Sequence, residues 1–476
     1  MIKPAIRPLA MALLAVGALS GCSLAPQYVR PEAPISANYP QTSGATAAGT
    51  AAHTATAIGW REFFPDRRLQ SLIATALEQN RDLRTAALRI EEARALYNIQ
   101  SADRLPNLNA VASGARARTP GALSPSGNPV VSTSYQVGLS LAAFELDFFG
   151  RVRSLNQAAL AQYLATEQAQ QAAQITLVAE VAKAYLAERA FAEQQELAQK
   201  TLQGRDNAYR LAKQRFDVGA SSALDLRLNE TLVLSARIAL STLSRQRAQA
   251  ENALTLLVGK PLADLPPPQT LASQNLVTDI PAGLPSELLT QRPDIRAAEQ
   301  RLQASNANIG AARAAFFPRI ALTAGVGSAS NALSGLFEAG SRTWSFAPQL
   351  TLPIFDAGRN SGNLTLAQVR KDIAVADYEK TIQTAFREVA DALAARSTLD
   401  QQIADQGAVQ AAQADRLRLA DLRFKNGVAS AIDVLDAQRE LFTAEQSLVQ
   451  TRLLRLTNAI DLYRSLGGGL DASARP

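Results

Sequence analysis

Cysteine and histidine are almost missing from this chain, with one of each in 476 residues. A single cysteine excludes an internal disulfide, and a single histidine excludes His-based triads and metal clusters by inventory. That histidine, His53, lies in an aperiodic run of Ala, Thr and Gly. Neither a Gly-rich phosphate loop nor a Rossmann fingerprint is present, so only carboxylate chemistry survives as an enzymatic reading. An excess of one charge is also lacking. The formal charge is +6, and setting aside Lys3 and Arg7 leaves 46 basic residues against 42 acidic ones. The two signs are interleaved, which offers nucleic acid no basic patch. Long apolar runs are absent beyond the amino terminus, so any membrane crossing has to be made by strands.

What the chain does have begins at residue 1. Lys3 and Arg7 precede a short apolar core, Leu9 to Ala18, and then Leu19-Ser20-Gly21-Cys22. The core is too short for a membrane span and reads as a cleaved signal over residues 1–21. Small residues just before a cysteine form a lipobox. Cleavage there leaves Cys22 as the first mature residue, carrying acyl chains and no free thiol. Ser23 follows, where lipoproteins kept at the inner membrane usually carry aspartate, so the outer membrane is expected. Residues 22–59, rich in Pro, Ala, Thr, Ser and Gly, suit an extended tether behind that anchor.

From Trp60 the chain is one design written twice. Leu105-Pro106-Asn107-Leu108 answers to Phe317-Pro318-Arg319-Ile320, and Arg215-Phe216-Asp217-Val218-Gly219 to Arg423-Phe424-Lys425-Asn426-Gly427; the offsets are 212 and 208 positions. Constant order at near-constant offset means two structural repeats, over 60–260 and 286–466, with a linker at 261–285 and a tail at 467–476. Each repeat opens with a helix, expected as Leu69–Ala102 and Ser286–Ala315 from apolar residues at helical spacing and the stops at Pro106 and Pro318. Two strands follow. Tyr135, Val137, Leu139 and Leu141 alternate with Ser134, Gln136, Gly138 and Ser140; Ile320 to Gly327 and Trp344 to Leu352 alternate likewise, and a weaker strand covers Leu108–Ala115. Their length of about ten residues suits a tilted bilayer crossing. Trp344 and Tyr135 are candidates for the membrane interface.

Arg151–Asp217 and Arg359–Lys425 contain no proline and are dominated by strong helix formers. At 1.5 Å per residue each helix is about 100 Å long, which implies coiled packing. Each ends at a glycine turn, Gly219 or Gly427, and reverses through a capping pattern, Ser222–Asp225 or Ser430–Asp433. The return helices end near Leu257 and Leu466. The fold class expected is therefore mainly α with a membrane β-barrel, built from two tandem repeats of two strands plus a long coiled helical hairpin. Four strands cannot close a barrel alone, because their edges would leave backbone groups unpaired in lipid. Several copies have to share one.

Three further runs are highly specific: Gly283-Leu284-Pro285-Ser286 with Gln291-Arg292-Pro293-Asp294-Ile295-Arg296-Ala297-Ala298-Glu299; Asn306 to Ile320; and Phe144-Glu145-Leu146-Asp147-Phe148-Phe149-Gly150-Arg151. Over nearly the whole mature chain the sequence resembles the outer membrane factors of tripartite efflux systems, in their NodT-like lipoprotein branch related to TolC. The resemblance implies a homotrimeric α-barrel/β-barrel tube in the outer membrane. It also implies docking to a periplasmic adaptor and an inner-membrane transporter, no cofactor, no metal and no enzymatic step. Related proteins close the periplasmic end with an apolar residue, an Asp and an Arg, which match Ile432, Asp436 and Arg439. At offset 208 the last two correspond to Leu228 and Thr231, so this charged pair occurs in repeat two alone. The hairpin tips, at Gly219, Ser222, Gly427 and Ser430, are candidates for adaptor contact, although reversing the chain also accounts for those residues. Two readings compete with the duct. One is a coiled-coil spacer or adhesin, which needs no paired strands. The other is an enzyme using Glu145 and Asp147.

Overall fold

A computed structural model describes residues 23–40, 55–125, 127–277, 280 and 285–470. The signal segment, Cys22 and His53 lie outside these. The first repeat contains α1 (Trp60–Phe63), α2 (Arg67–Gln79), α3 (Arg81–Ala102), β1 (Leu108–Thr119), β2 (Val130–Leu146), α4 (Arg151–Asp217) and α5 (Ala223–Val258). The second contains α6 (Leu288–Gln291), α7 (Pro293–Ala314), β3 (Arg319–Ser330), β4 (Arg342–Thr351), α8 (Arg359–Lys425) and α9 (Ala431–Ser465). The two 67-residue helices, α4 and α8, cover the expected spans.

The opening helices differ from expectation. The single helix expected over Leu69–Ala102 is two, broken at Asn80, whose backbone is extended at ψ 132°. Its Oδ1 accepts from the Leu83 amide at 2.9 Å and its Nδ2 donates to the Leu257 carbonyl at 2.9 Å, so this side chain caps α3 and ties it to the end of α5. The helix expected over Ser286–Ala315 breaks at Arg292, at φ −86° and ψ 120°. There the steric demand of Pro293 excludes the helical region for the residue before it. The strands are also longer than expected: β1 reaches Thr119 and β2 has 17 residues.

The chain forms two compact units, and each repeat contributes to both. The first comprises the described residues up to Glu32, Arg89–Glu167 and Ala297–Tyr378. Its sheet has the order β1-β2-β3-β4 with every pair antiparallel, so the central pairing joins strands from different repeats. A bulge interrupts β2 between Leu141 and Phe144, where Ala143 takes φ 46°. Below the sheet, Ala158 and Ala161 of α4 meet Ala304 and Ala307 of α7, small side chains that let the two helices approach closely. The amino-terminal stretch 23–32 has no helix or strand and yet is firmly seated. Glu299, nearly buried, accepts two bonds from the Arg30 guanidinium at 2.7 and 2.9 Å and one from the Tyr28 hydroxyl at 3.1 Å. Asn306 Nδ2 and Arg313 Nη1 donate to the carbonyls of Pro26 and Leu24.

The second unit comprises the described residues within Ala33–Leu88, within Gln168–Arg296 and from Glu379 onward. Trp60, Phe63, Phe64, Leu69, Leu72 and Ile73 are buried in its core. Phe63 stacks on Tyr463 at 4.0 Å between ring centroids, and the Tyr463 hydroxyl donates to the Ile58 carbonyl at 2.6 Å. Buried Asp66 caps α2 through the amides of Arg68 and Leu69, and accepts from Tyr185 and Gln274 at 2.7 Å each. Arg292, also buried, binds Asp294, Glu388 and the Ser465 carbonyl, so the break before α7 is bonded to α8 and α9.

Candidate functional site

Two places in the fold carry the functional argument: the faces of the sheet and the ends of the helical hairpins. In the sheet, register decides which side chains share a face. Leu108 stands opposite Leu141, Ala110 opposite Leu139, and Gly114 opposite Tyr135. Leu139 stands opposite Val326, which stands opposite Trp344, while Leu350 stands opposite Ile320. Pleating puts this series on one side. A β-carbon at Gly114 would lie 3.2 Å from the Tyr135 ring, so the tyrosine covers the glycine on that face. The face is apolar and uncovered, and Trp344 is 80% exposed. An apolar surface of this breadth marks a site of contact with lipid or protein.

The opposite face carries Asn109, Ser113, Ser134, Gln136, Ser140, Thr323, Gly325, Ser345 and Gln349, small and uncharged side chains for the most part. At its centre Gly138 and Gly327 face each other. A β-carbon on Gly138 would come within 2.5 Å of the Val326 carbonyl oxygen, and one on Gly327 within 2.3 Å of that of Val137. No side chain fits at either position, so the backbones are tightly curved toward each other here. Among the described residues the outer edges of β1 and β4 pair with no strand.

The hairpin ends form as the local sequence dictates. Gly219 and Gly427 both take φ 74°, the left-handed conformation that ends a helix, and nothing crowds either position. Ser222 and Ser430 each form a full capping box, with Asp225 and Asp433. The four tip residues are thus engaged in reversing the chain. Among the side chains the tips expose are three apolar ones, Val218 and Leu224 in the first hairpin and Val428 in the second, beside the polar Asp217, Lys425 and Asn426. The hairpins touch through Arg215, whose guanidinium carbon lies 5.8 Å from the centre of the Phe424 ring.

Ile432, Asp436 and Arg439 follow the second turn at spacings of four and three, which aligns them along one exposed stripe of α9 while Val434 and Ala437 face inward. Asp436 holds two arginines rather than the one expected. Its Oδ1 accepts from Arg439 Nη2 at 2.5 Å and its Oδ2 from Arg416 Nη2, on α8, at 2.7 Å. Arg416 was not among the expected residues. The signal that finds it is the repeat: its counterpart at offset 208 is Ala208, so all three charged members are confined to repeat two.

The carboxylates of the enzymatic alternative have structural partners. Glu145 binds Arg151 at 2.7 Å and Arg319 at 2.6 Å, and Asp147 accepts from the Arg153 amide at 2.7 Å. Among the described residues no cluster of His, Cys, Asp and Glu could hold a metal ion, and no helix is long and apolar enough to cross a membrane.

A family model described as outer membrane efflux protein matches residues 72–260 and 284–468, one segment per repeat. The chain belongs to the outer membrane efflux protein family. The probable efflux pump outer membrane protein TtgC of Pseudomonas putida is 48% identical over 452 residues, 95% of this chain and 93% of that protein. The outer membrane protein OprJ of Pseudomonas aeruginosa is 49% identical over 461 residues, 97% and 95% of the two chains. Among solved structures, the open state of the MtrE outer membrane channel of Neisseria gonorrhoeae superposes with a TM-score of 0.86 at 43% identity, covering 96% of this chain and all of that one. A membrane protein from Pseudomonas aeruginosa gives 0.86 at 47% identity, covering 94% of this chain and all of that one. The family's members are outer-membrane channel and transport proteins, and this chain has their two repeated halves, mainly helical with a small antiparallel sheet.

Proposed function

We propose that three copies of this chain form one outer-membrane duct that conducts small molecules from a periplasmic assembly to the exterior, with drugs and solvents as the cargo. The observation that carries the reading is the two-faced sheet with two free edges. Four antiparallel strands per copy let β4 of one copy pair antiparallel with β1 of the next, and three copies close a barrel of twelve. The apolar face then meets lipid and the small polar face lines a water-filled lumen. A spacer or adhesin would need neither face. Relatives named as an antibiotic efflux pump protein and a toluene efflux pump protein support the cargo class.

The same reading gives the hairpins their roles. Ile432, Asp436 and Arg439, with Arg416, form the closing contacts at the periplasmic end. The tips around Gly219, Ser222, Gly427 and Ser430 meet a periplasmic adaptor, which links the duct to an inner-membrane transporter. Cys22 carries the lipid anchor, the transporter supplies the energy, and the chain itself performs no bond chemistry and needs no cofactor.

The repeat supplies a test of assembly. Arg215 covers Phe424, and their repeat counterparts, Arg423 and Phe216, are both exposed within the chain. In a ring of alternating hairpins, Arg423 would cover the partner subunit's Phe216. Phe216→Cys with Arg423→Cys in a Cys22→Ser background should therefore cross-link on oxidation into a species of three chains. Purified wild-type protein should also conduct ions in planar bilayers. A monomer that neither cross-links nor conducts would overturn the duct.

A further inference from the structure

The two ends of the sheet treat their arginines differently. At the helix end, Arg151 and Arg319 share Glu145. At the loop end, Arg116 and Arg118 of β1 and Arg342 of β4 are exposed, and none has an ion-pair partner among the described residues. Acid is scarce nearby: residues 105–144 contain no Asp or Glu, and residues 320–355 contain only Glu338.

Register places all three on the apolar face. Arg116 and Arg118 stand opposite Thr133 and Val131, continuing the series of Gly114 and Tyr135. Arg342 stands opposite Ser328, two residues before Trp344 on the same side of β4. An arginine on the lipid face is costly at the bilayer midplane and nearly free at the headgroups. Arg116 and Arg118 continue past Tyr135 and Arg342 past Trp344, on the side where the strands turn away from the helices, and in the proposed barrel these guanidiniums would stand at headgroup level. A guanidinium presents a planar fork that fits phosphate oxygens bidentately, and a cation without an internal carboxylate is free to use it.

We infer that Arg116, Arg118 and Arg342 form a binding site for the phosphate groups of an outer-leaflet glycolipid. The inference rests on the proposed barrel, because β1 and β4 are the two edge strands. Closing the barrel brings Arg342 of one copy to the seam where the partner subunit's Arg116 and Arg118 stand, giving three equivalent sites. The lipid would thereby bridge neighbouring copies at the joint that no single chain completes.

The test uses the full-length protein in detergent, as wild type and as the triple variant Arg116→Gln, Arg118→Gln, Arg342→Gln. Binding of purified rough lipopolysaccharide is measured beside the same lipid stripped of phosphate by hydrofluoric acid, with inorganic phosphate as competitor. The expected result is that the triple variant binds the phosphorylated lipid about tenfold or more weakly. Wild type should lose affinity to a similar extent for the stripped lipid, and millimolar inorganic phosphate should displace little. Equal binding by the two proteins, equal binding of the two lipids, or full displacement by inorganic phosphate would each overturn the site. Oligomer mass and bilayer conductance are read on the same samples. Conducting trimers without phosphate discrimination reject this site alone, whereas a non-conducting monomer in both proteins rejects the duct beneath it.

Discussion

Replacing Asp436 and Arg439 together by alanine is expected to raise the single-channel conductance of the protein in planar bilayers several-fold. Asp436 is the shared acceptor of two arginines, one on its own helix and one on α8. Each link is exposed and contributes roughly 0.2–1 kcal/mol. In a trimer there are six such links, together about 3 kcal/mol, which is roughly a hundredfold in the ratio of open to closed forms if all of them break on opening. The arrangement also orders the single variants. Asp436→Ala leaves Arg416 and Arg439 facing each other without their carboxylate, so the two like charges repel. Arg439→Ala leaves the Arg416 link intact and should do less. Because exposed pairs are screened, raising the salt concentration should open the wild type more than bulk conductivity accounts for, and the double variant should lose most of that excess. Conductance unchanged in both Asp436→Ala and the double variant would remove these residues from the closing contact.

Valine at Gly327 is expected to abolish assembly. Its β-carbon would stand 2.3 Å from the backbone oxygen of Val137, and that oxygen belongs to a paired strand that cannot turn aside. Overpacking in a well-packed interior commonly costs about 1–3 kcal/mol, and here backbone meets backbone in the central pair of the sheet. The measurement is the amount of heat-modifiable oligomer reaching the outer membrane, read on unboiled gels. Gly138→Val should match it, since the same close approach is seen from the other strand. Gly325→Ala serves as control. Its β-carbon would meet the Ser345 hydroxyl at 3.0 Å, which can rotate away, and the Leu139 carbonyl oxygen at an ordinary 3.7 Å, so this variant should assemble normally. Wild-type amounts of oligomer from Gly327→Val would mean that the curved glycine pair is not what allows the sheet to close.

Much of this architecture is written locally, and those parts were legible. The helices α4 and α8 need only strong helix formers and no proline, while the capping boxes at Ser222 and Ser430 are complete within four residues. The break at Arg292 was also available, one residue before a proline. The break at Asn80 was not, because half of its effect is a bond to a carbonyl 177 residues away. Arg416 was hidden for a similar reason, since it reaches Asp436 across a hairpin turn. The amino-terminal stretch looks like a loose tether in composition, and Arg30 meets Glu299, 269 positions away, only because the chain between them folds back. The alternation in the sequence also understated β2, whose first residues, Val130 to Thr133, do not alternate cleanly and are held by pairing with β1. Pairing of β2 with β3, across the two halves, has no local signature of any kind.

The polar face of the sheet has a bearing on how a passage made from it would treat its traffic. Away from the helix end, where Arg319 is paired with Glu145, serine, glycine, alanine, threonine and glutamine offer a passing molecule no fixed charge and little to grip. Such a surface neither sorts solutes by sign nor holds any of them long, so dissimilar compounds would transit at rates governed mainly by their size. Choice among them would then have to be exercised upstream, before a molecule ever reached the strands.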